Sequence, residues 1–152
     1  MTTRIGVISD THGLLRPEAL DFLQGSECIV HAGDIGSLTI LKQLEEIAPL
    51  IVVRGNNDRE PWGLALPERA LFSVESVQLY VVHDIADLDL MPSEAAIQIV
   101  ISGHSHKPSL RVEDGVTWLN PGSAGRRRFK LPIALAEILV DGADSEAHIA
   151  HL

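Results

Sequence analysis

The chain has 152 residues, a formal net charge of −9, a pI near 5.1, 45% hydrophobic and 22% charged residues. That length and balance fit one globular domain (1–152) with a real core and exclude a disordered chain. The acid excess argues against general nucleic-acid or anionic-membrane binding, and the lone Cys28 excludes a disulfide framework or a thiolate zinc cluster.

The N-terminal residues lead into an apolar stretch too short and too poorly flanked for a signal peptide. The longest apolar run, Leu131–Val140, is broken by Pro132 and Glu137 and cannot span a bilayer. A soluble, cytoplasmic protein is expected. Arg4–Ser9 reads as a buried strand. Pro17 opens a helix with Ala19, Leu20, Phe22 and Leu23 on its apolar face, and Gly25 is its stop. Cys28–His31 is the second strand. Ser37 is placed to cap a second helix, in which Leu38, Leu41, Leu44, Glu45 and Ile47 are spaced for one buried and one wet face and which Pro49 closes. Leu50–Val53 is a third strand. Nearly continuous apolar strands alternating with helices read as parallel βαβ units.

The second half changes character. Arg59–Pro67 reads as a loop. Ala70–Val74 and Val77–Val82 make a hairpin around Glu75-Ser76, and Ile85–Ala96 reads as a loop with a short helix beginning near Ser93. Ile97–Ile101 is another buried strand. Leu110–Glu113 and Val116–Leu119 flank Asp114-Gly115, a strong hairpin signal. Asn120-Pro121-Gly122-Ser123 is a tight turn, and Ile133–Val140 and Ala147–His151 form a last pair of strands. The first half is expected to give parallel strands and the second mostly antiparallel ones.

Five of the strands run into polar groups: Asp10/His12, Asp34, Asn56, His83 and His104/His106. In a strand, side chains at i and i+2 point the same way, so Asp10-x-His12 can converge on one cation. Open α/β sheets place ligands at the carboxyl ends of parallel strands. Two carboxylates, one amide and four imidazoles exceed the need of one tetrahedral metal and suit two metals that share a carboxylate. A mixed N/O set without thiolate favours Mn, Fe, Zn, Ni or Co.

Asp10-x-His12, Gly33-Asp34, Gly55-Asn56, His83 and Gly103-His104-x-His106, in that order, resemble the calcineurin-like metallophosphoesterases. More narrowly they resemble the small bacterial and archaeal phosphodiesterase branch, which is similar to Vps29. The resemblance implies an α/β fold of two mixed β-sheets packed as a sandwich with helices on the outer faces. It implies one metal on Asp10, His12 and His106, a second on Asn56, His83 and His104, and Asp34 bridging them, with Asp34, Asn56 and His104 also taking a catalytic part. Two divalent ions, Mn first and Zn, Ni or Fe as alternatives, would generate a hydroxide that hydrolyses a small phosphodiester. The alternative is a non-catalytic Vps29-like scaffold, against which the complete ligand set counts. A nuclease acting on long DNA is disfavoured by the acidic balance and the lack of a capping domain. Oligomeric state is left open, homo-oligomer included.

Two positions depart from the pattern. Asn57 stands where many superfamily members carry a His that protonates the leaving group. Asp84 stands where the branch often has Gly; it reads either as an acceptor orienting His83 or as a solvated loop residue. His31 reads as a satisfied core histidine, His148 and His151 as exposed, and Cys28 as core filler. Arg126-Arg127-Arg128 with Lys130 reads as a solvated face or as a phosphate clamp on the rim, with Arg16 and Arg54 as further phosphate contacts. Trp62 either stacks a substrate base or caps the core edge.

Overall fold

The computed structural model describes residues 2–152. In the first sheet, β1 (Thr3–Ile8), β2 (Cys28–His31) and β3 (Leu50–Val52) run parallel, linked by α1 (Pro17–Leu23) and α2 (Leu38–Glu45). Pro17 occupies the first turn of α1, where its missing N–H is harmless. Ser37 caps α2 by accepting a hydrogen bond from the Thr39 amide at 3.2 Å. The last strands, β9 (Ala134–Asp141) and β10 (Asp144–His151), return to this sheet, β9 antiparallel to β1, giving the order β10-β9-β1-β2-β3.

The second sheet has the order β4-β5-β6-β8-β7, from β4 (Arg69–Val74), β5 (Val77–Val82), β6 (Ile99–Ile101), β7 (Ser109–Glu113) and β8 (Val116–Asn120). The hairpins β4–β5 and β7–β8 are antiparallel, as their turns predict. Their inner strands flank β6 in parallel. The site-bearing part of the second half is therefore parallel.

Between the sheets, Ile5, Val7 and Val30 pack against Leu79, Val81, Ile99 and Ile101. Because helices or loops cover the other faces too, β1 and β5 are buried on both sides, which is why they read as unbroken apolar runs. Ile8 and Ile29 meet Ala19 and Leu23 of α1 and Leu41 and Leu44 of α2. On the far side, Tyr80, Val82 and Val100 lie under Leu88, Leu90 and Ile97. Cys28 packs against the core between the sheets, and burial pushes its thiol up to about 11.

Two expected features differ. Arg59–Pro67 contains a short helix, α3 (Pro61–Leu64), begun by Pro61. Its Trp62 leans on the helix-side core and donates from Nε1 to Glu60 at 2.7 Å, the core-edge reading of that residue. No helix begins near Ser93. Residues 92–96 form a turn in which the Met91 carbonyl accepts from both Glu94 and Ala95, and Ala96 at φ 60 stops propagation. The regular element there is a 3₁₀ turn at Ile85–Asp87. No described helix is long and apolar enough to cross a membrane.

Candidate metal centre

The strands stop before the polar residues begin. β1 ends at Ile8, so the pleat does not aim Asp10 and His12. Both have left-handed backbone, φ 53 and 45, and the turn is pinned by Asp10 N–H to Gly33 O and His12 N–H to Asp34 O, each 3.0 Å. His104 and His106 repeat the device at φ 72 and 64, and Asp34 sits at φ 59. Five non-glycine residues in this region at one place are a concentration of local strain of the kind that gathers at functional sites. Glycine is required beside them for room. A Cβ on Gly103 would lie 2.5 Å from Asp10 Oδ2, and one on Gly55 would lie 2.8 Å from Asp34 Cγ.

The turns bring the seven predicted residues into one cluster between the ends of β1, β2, β3, β5 and β6. Asp10 Oδ1 is buried and accepts no hydrogen bond, although Nε2 of His106, His12 and His83 lie 3.3, 3.6 and 4.0 Å from it. Asp34 Oδ2 lies 3.3 Å from His83 Nε2 and 3.6 Å from His12 Nε2. The Nε2 atoms of His12 and His106 are 3.2 Å apart. Asn56 Oδ1 lies 3.0 Å from His83 Nε2 and 3.2 Å from His104 Nδ1. Lone-pair atoms aimed at each other around an unsatisfied carboxylate oxygen are what a cation relieves. Asp10, His12 and His106 form one group able to hold an ion, and Asp10, Asp34 and His83 another. Asp10 thus belongs to both groups, whereas Asp34, the expected shared carboxylate, belongs to the second.

Charges are strongly coupled here. Burial pushes the Asp10 carboxyl up, but His106, His12 and Ser9, with His83 nearby, outweigh it and hold it far below the usual carboxylate range. Asp34 is lowered in the same way: burial opposes, and the His83 bond and the Asn57 amide prevail. Burial also pulls His83 down, yet Asp34, the Asp10 charge and the Ala32 carbonyl lift it to about 9. His83 Nδ1 donates to Ala32 O at 2.7 Å, so a neutral ring offers its Nε2 lone pair to the pocket.

The remaining expected residues fall as follows. Asp84 does not touch His83. One of its oxygens accepts from the Ala86 amide at 3.0 Å and the other lies 3.6 Å from His104 Nε2, while a backbone carbonyl orients His83 instead. Asn57 donates to Asp34 through its backbone N–H at 2.9 Å and its Nδ2 at 3.1 Å. His31 is fully buried as a core histidine: Gly33 N–H donates to its Nδ1 at 3.1 Å, and its Nε2 is 3.0 Å from Thr11 Oγ1. Burial brings it down to about 4. His148 is exposed between Glu137 and Glu146, and His151 is exposed on β10. Arg126, with Arg127 and Arg128, lines a cavity of about 570 Å³ over His12, Asp34 and His106. Arg54 pairs with Glu68 in an adjoining cavity, and Arg16 donates to Gly125 O at 3.0 Å.

The sequence pattern points to no role for Asp58. It is buried and accepts from the amides of Gly55, Asp34 and Ile35 at 2.8, 2.9 and 2.9 Å, tying the Asn56 turn to the Asp34 turn. An acid closing the Gly55-Asn56-Asn57 turn was the available signal, since Asp in such turns takes up backbone amides.

The calcineurin-like phosphoesterase superfamily domain matches residues 3–141. A probable metallophosphoesterase of Methanothermobacter thermautotrophicus is 38% identical over 95% of this chain and 90% of its own length. A phosphodiesterase of Methanocaldococcus jannaschii is 27% identical over 78% of this chain and 82% of its own. The structure of vacuolar protein sorting 29 from Cryptosporidium parvum shares the fold, with a TM-score of 0.80 and 16% identity over 99% of this chain and 98% of that one. By motif order, pocket geometry and these likenesses, the chain belongs to the calcineurin-like phosphoesterase superfamily.

Proposed function

We propose that this protein is a metal-dependent phosphodiesterase acting on a small phosphodiester. One observation carries the reading: His12, His83, His106 and Asp34 crowd Asp10 Oδ1, a buried carboxylate oxygen with no hydrogen bond, and Asn56 and His104 adjoin them through His83. Asp10, His12 and His106 would hold one divalent ion and Asn56, His83 and His104 the other, with Asp34 available to both. Manganese is the ion assigned first, with zinc, nickel or iron as substitutes. When bound, such a pair neutralises charge on the phosphoryl oxygens and acidifies a water for in-line attack on phosphorus. Ala32 O fixes the ring of His83, and Asn57 steadies Asp34. A neutral amide supplies no acidic proton, so Asn57 restricts turnover to esters whose leaving oxygen departs readily. The name of the Methanocaldococcus relative supports diester over monoester. The reading takes residues 1–152 as one cytoplasmic domain with no general affinity for nucleic acid, given the charge of −9.

The test is a screen of purified protein on chromogenic phosphomonoesters and phosphodiesters with Mn²⁺, Ni²⁺, Zn²⁺ and Mg²⁺, with metal stoichiometry measured in parallel. Diester turnover with two ions per chain is expected. The second reading, an interaction scaffold, is favoured by the shared fold of vacuolar protein sorting 29. Folded protein that retains no metal and turns over no ester would favour that scaffold and end the hydrolase reading.

A further inference from the structure

The run Arg126-Arg127-Arg128 has no part in the chemistry above. The chain holds nine arginines. Six have partners: Arg4 with Glu137, Arg16 with Gly125 O, Arg54 with Glu68, Arg59 with Asn56 O, Arg69 with Asp87 O and Arg111 with Glu113. Among the described residues, the side chains of Arg126, Arg127 and Arg128 make no hydrogen bond or ion pair, while the Arg128 carbonyl accepts from Leu131 N–H at 3.1 Å. In a protein with 21 acidic and 12 basic residues, three adjacent guanidinium groups with no hydrogen-bond acceptor of their own are a local concentration of unpaired positive charge.

Their location is as specific as their lack of partners. They wall the same 570 Å³ cavity as His12, Asp34 and His106. The backbone leading to them is fixed to the turn that presents Asp10 and His12. Ser123 Oγ donates to Asp10 O at 2.9 Å, Ala124 N–H to Ser9 O at 3.1 Å, and Arg16 Nε to Gly125 O at 3.0 Å. The adjoining cavity has Arg54 and Arg69 but also Glu68, Asp84 and Asp87, so it offers an anion no net attraction.

Charge and room both exceed what one phosphodiester needs. A pair of divalent ions outweighs Asp10 and Asp34, and that centre alone balances the single negative charge of a diester. The three guanidinium groups lie beyond it, in a cavity within the size range of pockets that enclose drug-sized ligands. Guanidinium forks match phosphate oxygens. We infer that Arg126–Arg128 form a second anion subsite, and that the substrate class is a phosphodiester carrying a further phosphate on one of its ester groups. This rests on the phosphodiesterase reading of the metal centre. The second phosphate is held, not cleaved. Only the scissile P–O bond breaks, water supplies the new oxygen on phosphorus, and the leaving oxygen takes the proton.

The test compares two chromogenic diesters with one leaving group: thymidine 5′-(p-nitrophenyl phosphate) and its 3′-phosphorylated form. Metal-loaded wild type is expected to favour the 3′-phosphorylated substrate roughly tenfold in kcat/KM at low ionic strength, a preference that shrinks as salt rises. In the Arg126→Ala/Arg127→Ala/Arg128→Ala variant, that ratio falls to about one. The arginines have no partners to lose, and a melting curve checks that the variant is folded. Calorimetric binding of thymidine 3′,5′-bisphosphate against thymidine 5′-monophosphate gives a readout independent of turnover, with the same ratio and the same loss expected. Turnover without preference, or a preference the variant retains, overturns the subsite and leaves the phosphodiesterase reading standing. Preferential binding of the bisphosphate with no turnover of either diester overturns the phosphodiesterase reading and leaves the anion subsite standing. Equal binding of both nucleotides by wild type overturns the subsite whatever the kinetics.

Discussion

Asp58 is the residue whose removal most directly tests the account of how the centre is built. Its side chain carries no proposed chemistry, yet it takes the amides of Asp34, Ile35 and Gly55 at 2.9 Å or less, and Gly36 N–H more loosely at 3.4 Å. Asp58→Ala leaves three buried donors without an acceptor. Each costs about 1–3 kcal/mol when left unsatisfied. Some of that returns if water enters the void, so a net loss of about 4 kcal/mol is expected, a large part of the 5–15 kcal/mol typical of a domain. For a chain of this length, that lowers the melting temperature by roughly 8–16 °C. Asp58→Asn keeps one acceptor oxygen but turns an NH₂ toward amide donors, so roughly half the loss is expected. Chemical and thermal denaturation of the metal-free proteins measure both losses. Because Asp34 and Asn56 sit on the two tied turns, bound metal per chain should fall as well. An Asp58→Ala protein that melts within about 2 °C of wild type would refute the idea that this carboxylate holds the centre together.

Three further outcomes are expected. Asp34→Asn and His104→Ala each lower diester kcat/KM by at least about a hundredfold while the circular dichroism spectrum is kept; wild-type-like turnover in both would sink the assigned ligand set. Metal added at about a hundred times its Kd raises stability by about 2.7 kcal/mol, some 5–11 °C in melting temperature, and a chelator reverses it; no shift on addition or removal would count against an ion site. His31 titrates near 4 in the folded chain against about 6.5 unfolded, so the unfolded chain binds the extra proton between those values. Its contribution leaves stability untouched above pH 6.5 and removes about 3 kcal/mol as pH falls to 4. His31→Gln should flatten the stability–pH curve over that window, and an unchanged slope would show that the imidazole is not held neutral.

Much of the site was readable because its residues are chemically out of place: a buried strand has no packing use for Asp10, His12 or His83. Strand alternation alone does not account for their convergence. It would aim Asp10 and His12 together, whereas both lie beyond Ile8 in left-handed turns pinned to Gly33 and Asp34. Such turns depend on contacts made by chain segments more than twenty residues away, which no local pattern encodes. Asp58 was unreadable for the same reason. Its four partners are backbone amides, three of them on a different turn, and amides carry no residue type to recognise.

The deeper dependence is on the direction of β6. Sequence adjacency favours hairpins, and an antiparallel β5–β6 pair would put His83 and His104 at opposite ends of the sheet. The pair is parallel, Leu79 facing Ile99 and Val81 facing Ile101, so both histidines emerge at the end where Asp10 and Asp34 also lie. A parallel pair requires a crossover, and the crossover must cover the sheet it spans. That is the task of residues 83–98, which yielded no clear helical period. The segment needs only enough apolar side chains, Leu88, Leu90 and Ile97, to seal Tyr80, Val82 and Val100, and one 3₁₀ turn and one closed turn suffice for the length. Its irregularity and the convergence of the histidines share a cause. A chain that brings candidate ligand side chains from two sheets to one rim must return across each sheet without reversing it, and here the second return is made by a loop.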